Sequence, residues 1–569
     1  MEDFKFDTLN YVRPDFSHMK EIYEQAALQI TSAPTYEALK KTMLLVEDAQ
    51  NHFITMTTIA SIRNTLDTTN EFYETEHQYN ETSYPTIMES EMAYKSALLH
   101  SSYHSQLLEE YGEELFLQIQ RELDSFNPVL VPFLQQESLL CNQYQKLMAT
   151  AQIPFQNEVH NLYGIQKFFE HPNREIRKQA FCAFSGFFQD NEAKMEEIFG
   201  ELIDVRTKMG RALKDADFIP LGYKLQGRSD YGEKEVAAFR EQVLTEIVPL
   251  CTKLYEAQSK RIGIKDFKVY DEQFLFPDGN AIPAGDDNYM IAKAKEMYHE
   301  LSPETGEFID FMIDHQLMNL KNTPNKASTG YMTFLFDYNA PYVFSCFNQT
   351  IGDMQVLSHE LGHAFAGYQA MRHQPLSSYC GSSTDIMEIH SMAMEQFAYP
   401  YADKFFGKDA DKYRFAHLQD AITFVPFGVA VDEFQHIIYK NPSLTPKERT
   451  YEWHKLEEKY MPWRTYEDDA FMERGGYWYH KIHIFLYPFY YINYTLTTIG
   501  AMEFKKRYAE NPKQAWQDYL ALCNAGGSLN YLSLLKNAHL SVPFEEGSVK
   551  QAISYAKDIL LNEIQKIES

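Results

Sequence analysis

Basic residues are scarce in this 569-residue chain: 52 Lys and Arg stand against 80 Asp and Glu, a formal net charge of −28. Such a field repels phosphate backbones and anionic lipid, so neither nucleic acid nor a membrane is an expected partner. Cysteine is also scarce. The six cysteines (141, 182, 251, 346, 380 and 523) lie far apart and form no Cys-x-x-Cys pair, a pattern of reduced, mostly buried thiols. The N-terminus, MEDFKFDTLNYVRPDF, has two acids in its first three residues and no apolar stretch, so no secretory leader is expected. No apolar run approaches the ~18 residues of a membrane span. A cytoplasmic protein is therefore expected, and the three Asn-x-Thr sequons at Asn80, Asn348 and Asn493 read as chance matches. Repeats, low-complexity tracts and long linkers are absent too.

What the chain has in excess is aromatic side chains, 15% of residues, as suits a large core with ring-lined grooves. Apolar residues recur three and four apart from about Ser17 to Phe126, so that stretch reads as helical, with a break at Asn127-Pro128. Residues 153–165 alternate and predict a small hairpin. A helix start follows near Pro172-Asn173, and helical patterning runs through 174–213, 233–262 and 288–302, with a loop at 277–287. Residues 330–350 are rich in Tyr, Phe, Thr and Val around a turn-like DYNAP and predict an antiparallel hairpin. Helices are expected at 385–406, 409–425 and 427–440, and one long aromatic helix from Tyr477 to Gly500. The remainder, 501–569, reads as helical. The fold class is mainly α, with one or two small sheets.

The chemistry-bearing segment is His359-Glu360-Leu361-Gly362-His363. Residues four apart share a helix face, so His359 and His363 can address one ion, while Glu360 points aside and can reach a water on that ion. Zinc in such a site lowers the pKa of its water to about 7 and polarises a carbonyl, and the Glu takes the proton and passes it to the leaving amine. A random match to the motif arises in roughly one chain in twenty of this length. The surrounding VLSHELGHAFAGY is apolar, so the histidines would be partly buried and would need a partner.

A catalytic zinc needs a third protein ligand and one open position. Asp385, Glu388, His390 and Glu395 are the candidates nearby. The motif does not continue as His-x-x-Gly-x-x-His, because Ala366 and Gln369 occupy those places. Nor does a Glu follow the second His by 19 or 20 residues, where Ser382 and Ser383 stand. The sequence does resemble peptidase family M3, the group of thimet oligopeptidase and oligoendopeptidase F, and most resembles the bacterial oligoendopeptidase or Pz-peptidase branch. There the third ligand follows the second motif His by 25 residues, as Glu388 follows His363, with a Ser three and a Glu seven further on, here Ser391 and Glu395. The resemblance implies one zinc per chain held by His359, His363 and Glu388, with Glu360 as general base. Glu395 is either an acceptor for a ligand His or a surface carboxylate.

The family also carries a His and a Tyr-rich run with tyrosines seven apart facing substrate. HKIHIFLYPFYYINYTL, 480–496, offers His483, Tyr487 and Tyr494 at that spacing, about two helical turns. The His precedes the first Tyr by four here and by five in the thimet branch. The resemblance implies Tyr494 as oxyanion donor, His483 and Tyr487 on the substrate backbone, and Tyr490 and Tyr491 as further substrate contacts. The predicted hairpin would offer an edge strand to an extended peptide, with Ala340, Tyr342 and Phe344 on the pairing stretch and Pro341 marking an edge. The implied architecture is a two-lobed helical fold around a deep channel: an N-terminal helical region over 1–155, then a catalytic region over 156–569 with its zinc core at about 325–500 and a helical end at 501–569. The implied activity is endopeptidase action on short unfolded peptides. A peptidyl-dipeptidase of the same family and an inactive peptide-binding protein are the alternatives.

Overall fold

The computed structural model describes residues 4–125, 127–327, 329–347 and 350–568. The sequon at Asn348 and the acidic start Met1–Asp3 fall outside them. Among the described residues the fold is mainly α-helical, with two small sheets. The chain packs as two compact units, each built from three separate stretches. The first comprises Met1–Phe126, Ile282–Lys408 and Arg507–Leu540, the second Asn127–Ala281, Asp409–Lys506 and Ser541–Ser569.

The first unit opens with helices Phe16–Thr31, Tyr36–Leu66, Glu71–Ser83 and Pro85–Leu99. Asp15 caps the first by accepting from the His18 backbone N–H, which satisfies one of the orphan donors of a helix start. Phe16, Met19, Tyr23, Ala26 and Ile30 then share one face and are buried with Leu39, Met43 and Val46 of the second helix.

Later in the same unit lies a three-stranded sheet. Strand β3 (Met318–Asn319), β4 (Tyr331–Leu335) and β5 (Ala340–Phe344) are ordered β3-β5-β4; they follow β1 (Ile153–Phe155) and β2 (Glu158–His160) of the second unit in the chain. The expected hairpin is β4 and β5, antiparallel with Tyr331 opposite Phe344. Its expected edge is corrected. β5 is the central strand, buried along its whole length, because β3 pairs parallel to its C-terminal end at Val343 and Phe344. Pro341 survives there for a physical reason. The Val343 N–H donates to Leu317 O on the β3 side, so the missing N–H of Pro341 faces the same side, beyond the end of the two-residue β3. Helix Ile351–His373 covers one face of the sheet and helix Tyr36–Leu66 meets the other, where Tyr331 Oη lies 2.6 Å from Thr65 Oγ1.

In the second unit, β1 (Ile153–Phe155) and β2 (Glu158–His160) form the small hairpin, and Asn173 caps the long helix Arg174–Ala212. The patterned run 233–262 is two helices, Glu233–Glu246 and Val248–Arg261, with Pro249 in the first turn of the second. The break expected at Pro426 does not occur. Ala410–Lys440 is one helix with Pro426 inside it. Proline removes the donor that the Ile422 carbonyl would have used, and the buried Cys251 thiol donates to that oxygen instead, at 3.6 Å.

The single aromatic helix expected from Tyr477 to Gly500 is likewise corrected. The segment is a 3-10 turn (Gly476–His480), a short helix (Ile482–Leu486), an irregular turn, and helix Ile492–Glu510. Phe489 breaks it with φ 63°, a left-handed conformation that costs an ordinary side chain about 1–2 kcal/mol.

One 18-residue window within Thr384–Lys440 is apolar enough to cross a membrane by length and composition alone, but 67% of it is buried inside the protein, as in a core helix. Asn80 and Asn493 are buried as well.

Candidate metal centre and aromatic cluster

Two helices of the first unit build the centre. The motif helix, Ile351–His373, is capped by Thr350, whose hydroxyl accepts from the Gly352 N–H. Helix Thr384–Ala398 packs against it. His359 and His363 from the first and Glu388 from the second each offer an atom, and the three atoms lie within 4.8 Å of one another. Glu388 Oε2 is 3.3 Å from His359 Nε2 and 3.6 Å from His363 Nε2. Ser391 donates to the same carboxylate oxygen at 3.2 Å. On the far side of the His359 ring, Nδ1 lies 2.7 Å from Glu395 Oε1. Two imidazoles and one carboxylate, with one ring oriented by a second carboxylate, form a donor set that fits zinc. Burial works against a charged His359, but Glu388 and Glu395 outweigh it and hold its pKa well above the ordinary value. Burial likewise opposes ionisation of Glu388, and the two histidines reverse that and hold its pKa low.

Glu360 is half-buried and stands outside the three-ligand group, and its carboxylate makes no hydrogen bond or ion pair among the described residues. A Cβ on Gly330, at the start of β4, would lie 3.8 Å from its Oε1. The carboxylate therefore sits beside the edge of the sheet.

Gly362 is a position that motif reading passes over. A Cβ there would meet Ser391 Cα at 2.8 Å and Met394 Cβ at 2.9 Å. The two helices approach this closely only because the residue between the motif's Leu361 and His363 has no side chain. The visible signal was a glycine inside an otherwise apolar helical run.

The other expected residues divide. Ala340, Tyr342 and Phe344 are buried in the central strand, so their main-chain groups serve the sheet. The free edge is β4, where Met332 and Phe334 alternate with the residues bonded to β5 and make no main-chain hydrogen bond among the described residues.

In the second unit, His483, Tyr487, Tyr490, Tyr491 and Tyr494 do cluster, but not along a helix face. Tyr487 precedes the turn and Tyr494 lies in the following helix. The His483 ring is the hub: its centroid lies 5.9, 5.6, 4.8 and 6.0 Å from those of Tyr487, Tyr490, Tyr491 and Tyr494. Burial and the neighbouring Lys481 ammonium push the His483 pKa down to about 3, so the ring is neutral at pH 7. Its Nδ1 is buried with no hydrogen-bond partner among the described residues. The turn at Phe489 is clamped by residues that sequence reading missed. Gln435 Oε1 accepts from the Phe489 N–H at 2.9 Å, and the Arg228 guanidinium reaches Phe489 O at 2.5 Å and Asn493 Oδ1 at 2.7 Å.

The family model for the peptidase M3 N-terminal domain matches residues 6–126, and that for peptidase family M3 matches 292–552. The solved structure of Pz peptidase A with an inhibitor shares 43% identity, covering 98% of this chain and 99% of its own, with a TM-score of 0.90. The chain belongs to peptidase family M3. Among further relatives of this M3 peptidase, the oligoendopeptidase F homolog of Borreliella burgdorferi is 23% identical over 474 residues, 81% of this chain and 76% of that protein. The oligopeptidase PepF of Bacillus subtilis is 21% identical over 396 residues, 67% and 56% of the two chains. Family membership makes the protein a metallopeptidase.

Proposed function

We propose that this M3 peptidase is a zinc-dependent oligoendopeptidase that cuts short, unfolded peptides. The reading rests above all on the ligand atoms of His359, His363 and Glu388 lying within 4.8 Å of one another, next to an unengaged Glu360. A zinc ion held by those three residues supplies Lewis acidity to the attacking water and the scissile carbonyl. Glu360 removes a proton from the water and delivers it to the leaving nitrogen. Glu395 fixes the ring and tautomer of His359 by accepting from its Nδ1–H. An extended peptide pairs with the edge of β4 through the main chain of Met332 and Phe334. Tyr494 donates its phenolic hydrogen to the developing oxyanion, and neutral His483 and Tyr487 hold the peptide backbone. The names of the relatives, oligoendopeptidase F and oligopeptidase, support peptides rather than folded proteins as substrates.

The test is Glu360→Gln in zinc-loaded protein, assayed on an internally quenched peptide with mass spectrometry of the products. Turnover should fall by about 10²–10⁴-fold with zinc content unchanged. Full activity at full zinc occupancy would remove Glu360 from the mechanism. Release of C-terminal dipeptides alone, abolished by amidation, would favour a peptidyl-dipeptidase.

A further inference from the structure

Lys481 stands between His480 and His483 and is the one lysine of this segment. It is half-buried, yet its side chain makes no hydrogen bond or ion pair among the described residues. Its contacts are ring faces: its Nζ lies 4.1 Å from the centroid of Tyr491 and 5.7 Å from that of Phe427. Other shielded lysines of this chain are neutralised differently. Lys95 pairs with Glu91 and Glu122, and Lys326 is surrounded by the oxygens of Asn319, Lys321 and Ser345. In a protein with 80 acidic and 52 basic residues, an inward-set ammonium with neither a carboxylate nor a carbonyl oxygen beside it among the described residues is out of pattern. Asp420 acts on the Tyr491 hydroxyl but forms no pair with Lys481. Two aromatic ring faces attract the ammonium, and no acceptor oxygen meets its hydrogens among the described residues. Burial pushes the lysine down to about 8, which still leaves it mostly charged at pH 7.

We infer that Lys481 is a substrate-binding residue that takes a carboxylate of the peptide, from its C-terminus or from an Asp or Glu side chain. The inference rests on the peptidase reading above and deepens it. Lys481 adjoins the His483 cluster through Tyr491, which lies 4.8 Å from His483, so a carboxylate bound there fixes the peptide against the rings proposed to hold its backbone. A charge-assisted hydrogen bond of this kind favours the carboxylate form of a peptide by about tenfold or more.

The experiment uses the full zinc-loaded chain, Lys481→Met and Lys481→Arg, with one fluorescent peptide in three forms: amidated and lacking acids, with a free C-terminus, and amidated with one Glu moved along its length. KM is measured for each form. Affinity is measured in parallel by anisotropy in a Glu360→Gln background, where turnover is slow enough for binding to be read. Wild type should prefer one carboxylate form over the neutral form by about tenfold. Lys481→Met should bring that ratio to about one, and Lys481→Arg should restore most of it. The favoured form identifies the source of the carboxylate. A wild-type ratio near one in both arms, or a ratio that survives Lys481→Met, overturns the inference. If wild type cleaves none of the peptides, the peptidase reading fails, and the anisotropy ratios still decide the role of Lys481.

Discussion

Gly362→Ala tests whether helix spacing sets the metal site. The added methyl would stand 2.8 Å from Ser391 Cα and 2.9 Å from Met394 Cβ, where carbon atoms settle at about 3.5–4.0 Å. Neither neighbour can rotate away, since one is main chain and the other is fixed to it. The helices must therefore part by roughly 1 Å, at an overpacking cost of about 1–3 kcal/mol. Glu388 is carried on one helix and both histidines on the other, while metal–ligand distances tolerate only about 0.2 Å. Zinc affinity should fall by at least about tenfold, or 1.4 kcal/mol. Competition with a chromophoric chelator measures the affinity, and thermal melts of the metal-free protein measure the packing cost. Gly186→Ala is the control. Its Cβ would meet nothing within 4 Å in the middle of helix Arg174–Ala212, and it should stabilise by about 0.5–1 kcal/mol. Unchanged zinc affinity in Gly362→Ala would refute the argument that this glycine sets the ligand geometry.

Glu395→Ala should weaken zinc binding by about 10–100-fold while the metal-free protein melts within a few degrees of wild type; wild-type affinity would make Glu395 a bystander. Tyr494→Phe should lower kcat by about 10²–10³-fold with little change in KM, and a loss confined to KM would move the oxyanion role to another residue. Burial pushes Glu457 up to about 7, against the opposing hydrogen bond from Tyr466. A carboxyl raised in the folded state contributes stability that is complete below about pH 4.5 and is lost as pH rises through 7, some 3 kcal/mol in all. Melting temperatures of wild type should therefore drop between pH 5 and 8 relative to Glu457→Gln. Parallel curves for the two proteins would show that Glu457 ionises as freely folded as unfolded.

The helical class and the motif helix were legible because 3.6-residue periodicity and the His359–His363 spacing are local properties. The small hairpins were legible for the same reason. What stayed hidden depends on partners distant in sequence. β3 is two residues long and carries no pattern of its own, yet its pairing makes β5 central and moves the free edge to β4. Pro426 reads as a helix break until Cys251, 171 residues away, supplies the lost donor. The Tyr487–Tyr494 spacing suggested a shared helix face. The rings instead meet around His483 because Phe489, held by Gln435 and Arg228, bends the chain between them. Lys481 escaped notice because an absent counter-ion cannot be read from sequence.

The interleaving of the two units constrains how the protein comes into being. The chain passes from one unit to the other five times, after Phe126, Ala281, Lys408, Lys506 and Leu540. Neither unit is therefore a segment that a ribosome can finish and release to fold while the rest is still being made. The helices of the first 125 residues must wait for the motif helix and then for residues 507–540, and the second unit waits longer still. Loops of that length slow closure and leave apolar faces uncovered during synthesis. Expression yield should depend on chaperone supply and temperature more than the stability of the finished enzyme would suggest.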